Sequence, residues 1–536
     1  MTMPSINHTT STAERAACSV QRARASAPRC TLHAGLLAAL AALAACQTMV
    51  PPPNTTPVPA RADSAAADSV RPATDTARRA SAFPTERPSL GAVPAVALPP
   101  VSRRALANGM TLLVVEQHEL PVADFVLVVG AGPEADPAGK AGAATLMAGL
   151  LTEGTTTRTA LQIADQTAFL GVQLGAASAW DATTVSLHTP TAQLDSALAL
   201  FADVALRPSF PAAELERLRR DRLTTLLQLK DRAPAIADRA FASTVYGAGH
   251  AYGRPATGTE ASTRAITRAD MRRLYASHVR PNNATLVVVG DVRPDDVARR
   301  AEQLFGGWAR GAVAPARYGA APAAGATAVY LVDKPGAAQS SFRIGAVGVA
   351  RSTEDYFPLL VMNTILGGSF TSRLNQNLRE TRGYTYGAQS GFSMRRTAGP
   401  FVARAEVVTA KTDSALLEFM KELRAIRDTV PATELAKAKQ YLQLQLPGDF
   451  ETTNDIAGQL VPLVTYGLPL DYHNSYVQRV EAVTQADVRR VAERYVNPAR
   501  LAVVIVGDRK AIEPGLRALN VGPITVREVG AVVGGR

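Results

Sequence analysis

Two kinds of apolar run alternate along this chain. Short, nearly continuous stretches such as residues 111–116 (TLLVVE), 122–129 (VADFVLVV) and 327–332 (TAVYLV) read as β-strands. Residues 143–151, 212–229, 356–365 and 432–446 instead carry apolar positions three and four apart and read as amphipathic helices. Turns at 118–121 and at Lys334-Pro335-Gly336 separate strand pairs, the second of them 327–332 and 341–346, and hairpin strands are expected at 171–176 and 183–188. This order of elements predicts an α+β fold with a largely antiparallel sheet flanked by helices, not a doubly wound nucleotide-binding sheet. Gly367 and Gly368 follow a helix pattern and no Gly-Lys-Ser/Thr comes after them, so they read as a helix end and not as a phosphate loop.

The pattern occurs twice. Residues 266–292 (ITRADMRRLYASHVRPNNATLVVVGDV) align without a gap to 483–509 (VTQADVRRVAERYVNPARLAVVIVGDR) at a constant offset of 217. Each segment opens with Thr followed three residues later by Asp (Thr267 and Asp270; Thr484 and Asp487), which is a helix-capping signature. Each helix stops before a proline, Pro281 or Pro498, and a Val-rich strand ending in Gly-Asp follows. Helix, stop, strand and turn in one register imply a duplication. The expected division is a domain over 101–315, a homologous domain over 326–515 and a tail over 516–536.

A chain of 536 residues is long enough for two such cores. Its net charge is +11, yet the first 100 residues hold nine Arg against five acids, leaving a diffuse surplus of +7 over the rest. With no basic stripe interleaved with aromatics, nucleic acid is not an expected partner.

All three cysteines, Cys18, Cys30 and Cys46, precede the expected domains, which excludes a disulfide or a cysteine metal site within them. Arg15, Arg22, Arg24 and Arg29 lead into the apolar run 34–45, too short to span a bilayer but of signal-peptide length. The run ends in Leu43-Ala44-Ala45-Cys46, which resembles a bacterial lipobox, so residues 1–46 are expected to be a signal peptide whose Cys46 is lipidated. An ordinary signal peptide cut at a small residue is the other reading. The long polar stretch ahead of the apolar run also fits a translation start downstream of Met1. Gln47 after the cysteine resembles lipoproteins sent to the outer membrane, giving an expected location on its periplasmic side. Residues 47–100 are rich in Pro, Ala, Ser and Thr without periodicity and read as a disordered tether.

Candidate chemistry lies at two places. Residues 142–155 (GAATLMAGLLTEGT) resemble the zinc-binding helix of the M16 (insulinase/pitrilysin) metallopeptidases, in which an H-x-x-E-H motif sets two His ligands one turn apart with a catalytic Glu between them. In that frame this chain carries Thr145, Ala148 and Gly149, and the family's downstream Glu ligand falls on Leu226 if Arg232-Ala233-Pro234 is the remnant of the family's Asp-x-Pro turn. Arg219 stands where the family tends to have an acid. A hydroxyl, a methyl, a hydrogen atom and an isobutyl group neither hold zinc nor take a proton at neutral pH. Residues 366–386 (LGGSFTSRLNQNLRETRGYTY) are similar to the M16 second-domain segment that presents an Arg and, seven residues on, a Tyr; here these are Arg379 and Tyr386. The resemblance implies that this pair contacts the substrate backbone and the scissile carbonyl, a role suited to two donors facing developing negative charge.

Further similar stretches, Tyr252-Gly253-Arg254-Pro255 with Gly258-Thr259 and Gly467-Leu468-Pro469 with Asp471-Tyr472, extend the resemblance over 101–508. It implies two LuxS/MPP-like domains and an M16B-type non-catalytic subunit. Such a chain would bind peptide substrate and complete the site of a zinc-bearing sister chain while holding no cofactor itself. A structural or peptide-holding scaffold is the alternative, and an autonomous peptidase with a relocated metal site is a third. His118, His188, His250, His278 and His473 are singletons without a second His at ligand spacing, and read as turn or surface residues.

Overall fold

The computed structural model describes residues 99–534. The expected signal peptide with Cys46, and the tether up to its last two residues, lie outside the described residues.

Among the described residues, twelve strands form two six-stranded sheets. The first contains β1 (Ser102–Ala105), β2 (Thr111–Glu116), β3 (Val122–Val129), β4 (Gln173–Ala179), β5 (Ala182–Pro190) and β6 (Ala284–Gly290), in the order β1-β2-β6-β3-β5-β4. The second contains β7 (Ala328–Asp333), β8 (Gln339–Val347), β9 (Thr385–Phe392), β10 (Pro400–Val408), β11 (Ala502–Gly507) and β12 (Ile524–Glu528), in the order β12-β7-β11-β8-β10-β9. Pairing is antiparallel apart from β2–β6, β7–β11 and β12–β7. The duplication extends to register. Val114 faces Val288 as Leu331 faces Ile505, and Phe125 faces Val288 as Phe342 faces Ile505, each pair shifted by 217. Phe125 and Phe342 are 1% and 0% exposed, and burying each contributes roughly 1.5–3 kcal/mol.

The helical expectations hold closely. Thr267 and Thr484 each accept from the backbone N–H three residues on, and Asp270 and Asp487 close both capping boxes. Residues 143–151 and 212–229 are helical as read, and 356–365 becomes a helix at Tyr356–Asn363 continued by one wide π-type turn at Thr364–Gly368, where the paired glycines end it.

The helices include α1 (Ala143–Leu151), α2 (Ala212–Leu229), α3 (Ala233–Tyr246), α4 (Tyr356–Asn363), α5 (Thr453–Tyr466) and α6 (Val529–Gly534). Helices α3 and α5 exchange places. α3, from the first domain, packs on β8 and β11 of the second sheet, while α5, from the second domain, packs on β3 and β6 of the first. Ile236, Ala237, Ala240 and Phe241 thus share an apolar cluster with Val332, Val504 and Val506. Polar contacts fix both crossings, Arg343 Nε to Asp238 Oδ1 at 2.6 Å and Thr453 Oγ1 to Asp124 Oδ2 at 2.6 Å.

The segment 516–536, expected as a tail, is structured over its described part. β12 adds to β7 in the place that β1 holds beside β2, and α6 packs against α3. Alternation in ITVRE supports only a half-buried edge, which is why the sequence pattern of this strand is weak.

Candidate functional site

Helix α1 starts from Gly142 in a left-handed conformation, φ 91°, packed so closely on Thr257 and Gly258 that a Cβ would lie 2.9 Å from Thr257 C and O. The carboxylate of Asp136 holds this start, accepting from Gly142 N at 2.6 Å and Ala144 N at 2.7 Å. Burial pushes the Asp136 carboxyl up to about 7, against those two hydrogen bonds and the charge of Arg254.

One turn into α1, Thr145 Oγ1 lies 3.0 Å from Gly142 O and 3.2 Å from Ala256 O. Ala148 is buried, and the missing Cβ of Gly149 would face Leu218 at an ordinary 3.6 Å. α2 packs against α1, and Leu226 on it is buried. The space between is taken from the same helix, one turn before Leu226: Arg222 Nη1 donates to Thr145 Oγ1 at 2.9 Å and to Thr257 O at 3.1 Å. Arg239 on α3 reaches the same loop, Nη2 donating to Thr257 Oγ1 at 3.0 Å. Burial lowers the pKa of Arg222, and burial together with the charge of Arg222 pushes Arg239 down to about 10.

A divalent metal does not fit these residues. Thr145, Gly149 and Leu226 offer no imidazole or carboxylate, and a guanidinium is hydrogen-bonded to Thr145 itself. Among the described residues no group of three His, Cys, Asp or Glu is placed to share an ion. Sequence reasoning missed Arg222 and Arg239; the spacing of Arg222, four before Leu226, was the available signal for the first. Arg219 points elsewhere, donating to Ile266 O at 2.7 Å and pairing with Glu216 at 3.1 Å.

The second candidate pair lies at the edge of the second sheet. Arg379 sits in a wide π-type turn, Gln376–Thr381, a local geometry frequent at functional sites. Gly383, φ 64°, reverses the chain, and Tyr384 N donates to Leu378 O at 2.9 Å, which brings β9 back beside that turn. Asn375 secures the unit, donating to Phe370 O at 2.6 Å and accepting from Ala388 N at 3.2 Å. The Arg379 guanidinium lies 4.5 Å over the ring of Phe370, and Tyr386 on edge strand β9 is 92% exposed. Phe370, itself 65% exposed, is a neighbour that the sequence reading did not single out. At the matching edge of the first sheet, β4 pairs with β5 alone among the described residues and packs along α1.

Two family models match the chain: Insulinase (Peptidase family M16) over residues 112–259, and Peptidase M16 inactive domain over 265–442, which begins within the first domain and reaches into the second. The chain belongs to peptidase family M16. An uncharacterised zinc protease of Mycobacterium leprae is 28% identical over 427 residues, covering 78% of this chain and 95% of the relative. An uncharacterised zinc protease of Bacillus subtilis is 23% identical over 361 residues, covering 66% and 85%. The crystal structure of a peptidase M16 inactive domain from Pseudomonas fluorescens superposes with a TM-score of 0.71 at 28% identity, covering 76% of this chain and 98% of that one. A protease from Helicobacter pylori, at 21% identity, TM-score 0.72 and coverage of 76% and 100%, shares the fold. The zinc named for the two relatives is named for those proteins; the M16 helix of this chain carries Thr145, Ala148 and Gly149 in the motif frame.

Proposed function

We propose that this chain is a non-catalytic subunit of a two-chain M16 zinc peptidase, binding peptide and completing the active site of a sister chain that carries H-x-x-E-H. The observation that carries this reading is the contrast between its two candidate sites. The zinc frame is filled by Thr145, Ala148, Gly149 and Leu226 with Arg222 bonded into it, while Tyr386 stands almost fully exposed beside the turn that holds Arg379. The phenol on the open edge strand, with the guanidinium in the turn beside it, is a donor offered to something outside the chain. The open edge of β9 also suits pairing with an extended peptide backbone. In this arrangement the zinc belongs to the sister chain. Lipidation at Cys46 would place the subunit on the periplasmic side of the outer membrane.

The test is kcat/KM of the reconstituted pair on a quenched peptide, with zinc content and sedimentation measured alongside. Arg379→Ala and Tyr386→Phe are each expected to lower turnover by about 10²-fold, with zinc content and assembly unchanged. Wild-type kinetics in both variants would remove this role and leave a peptide-holding scaffold.

A further inference from the structure

We propose that Arg222 and Arg239 form an oxyanion site where family M16 places its metal, and that the group it takes is a carboxylate of a peptide. The two guanidinium groups converge on one residue, Arg222 on the carbonyl oxygen of Thr257 at 3.1 Å and Arg239 on its hydroxyl at 3.0 Å. On α2, Arg217 pairs with Glu153 at 2.6 Å and Glu214 at 2.7 Å, Arg219 pairs with Glu216, and Arg220 is exposed to solvent. Arg222 and Arg239 have none within ion-pair distance among the described residues, and bond only to hydroxyls and carbonyls. Asp136 exerts its field on Arg222, but its two oxygens are committed to the start of α1.

Two half-buried cations side by side, each depressed by burial and one by the other, are the reverse of a self-sufficient ion network. An anion beside them offsets their repulsion and part of the cost of burial. Arg222 uses only Nη1 in its bonds to described residues, which leaves its Nε–Nη2 edge for the forked geometry that a carboxylate accepts. The adjoining element selects the carrier. α1 packs along β4, whose outer backbone edge has no strand partner, and such an edge takes up an extended chain. α1 thus lies against both β4 and α2, the helix that carries Arg222, and a peptide on the β4 edge is the carrier that the proposal assigns to the carboxylate.

The experiment uses the isolated full chain, so its failure leaves the two-chain reading, which is judged by turnover, untouched. Calorimetric titration compares a short extended peptide carrying Glu and a free C-terminus with its Gln, C-amidated isostere, and titrates inorganic phosphate separately. The acidic peptide is expected to bind about tenfold or more tightly than the isostere, and Arg239→Gln and Arg222→Gln to erase that ratio. Arg222 also ties α1 to the 256–258 loop, so Arg239→Gln is the variant that keeps the fold, checked by its melting temperature. Equal binding of the two peptides to the wild type overturns the proposal, as does an unchanged ratio in folded Arg239→Gln. Phosphate binding without discrimination between the peptides marks a free-anion site and also overturns it.

Discussion

Arg222 Nη1 donates to Thr145 Oγ1 at 2.9 Å, so the residue standing where the M16 zinc helix has its first histidine is engaged by a fixed positive charge. The substitution of the ligands is therefore not a set of isolated losses. A guanidinium stands beside the frame the resemblance marks, and that bears on what restoring the motif can achieve.

Thr145→His, Ala148→Glu, Gly149→His and Leu226→Glu together rebuild the ligand set but leave Arg222 repelling the ion and competing for the new carboxylates. This fourfold variant is expected to bind zinc weakly with little turnover. Adding Arg222→Gln is expected to tighten zinc binding by about tenfold or more, the equivalent of roughly 1.4 kcal/mol. Competitive chelator titration with elemental analysis measures both. Equal affinity with and without Arg222→Gln would show that the guanidinium swings clear.

Asp136 gives a pH dependence of defined sign. Burial raises its carboxyl from 3.8 to about 7, so between those values the folded chain holds a proton that the unfolded chain has released. Its contribution to stability is thus largest below the lower value and is lost as pH rises through the window. Loss runs at up to roughly 1.4 kcal/mol per pH unit. Asp136→Asn is expected to flatten that component. Urea midpoints of both proteins at several pH values read it as the change in their difference, and a constant difference from pH 4 to 7 would contradict it.

Asp181 joins the two domains. It turns the β4–β5 hairpin at φ 71°, is 0% exposed, and accepts from Tyr252 Oη at 3.0 Å, Tyr318 Oη at 2.8 Å and Arg396 N at 2.9 Å. Asp181→Ala leaves three donors without an acceptor in a left-handed turn and is expected to cost roughly 3 kcal/mol or more. Asp181→Gly, free of the backbone strain, should recover about 1 kcal/mol of this. Thermal midpoints order the variants, and equal midpoints for the two would mean that the turn relaxes.

Membrane attachment through Cys46 rests on the Leu-Ala-Ala-Cys sequence and the Pro-rich stretch behind it. Stable anchoring takes two acyl chains or more. Cys46→Ser is expected to move the protein from the membrane to the soluble fraction on cell lysis, and an unchanged distribution would rule the anchor out.

The 217-residue repeat and both Thr-Asp capping boxes were legible in the sequence, because caps and periodicity are set by residues within a few positions of one another, and the resemblance by itself marked Thr145, Ala148, Gly149 and Leu226. The structure adds that the two copies share strand register, since the same inward apolar positions bury the same faces. What surrounds Thr145 was settled only in three dimensions. Thr145 and Arg222 are 77 residues apart, and nothing local to either marks them as neighbours until α2 packs on α1. The exchange of α3 and α5 between sheets was equally hidden, because an apolar helix face states that it must be covered without stating by which sheet. The same holds for β12, whose half-buried ITVRE pattern gains its meaning from the vacant edge of β7. Local pattern determined the elements, and long-range burial decided their partners.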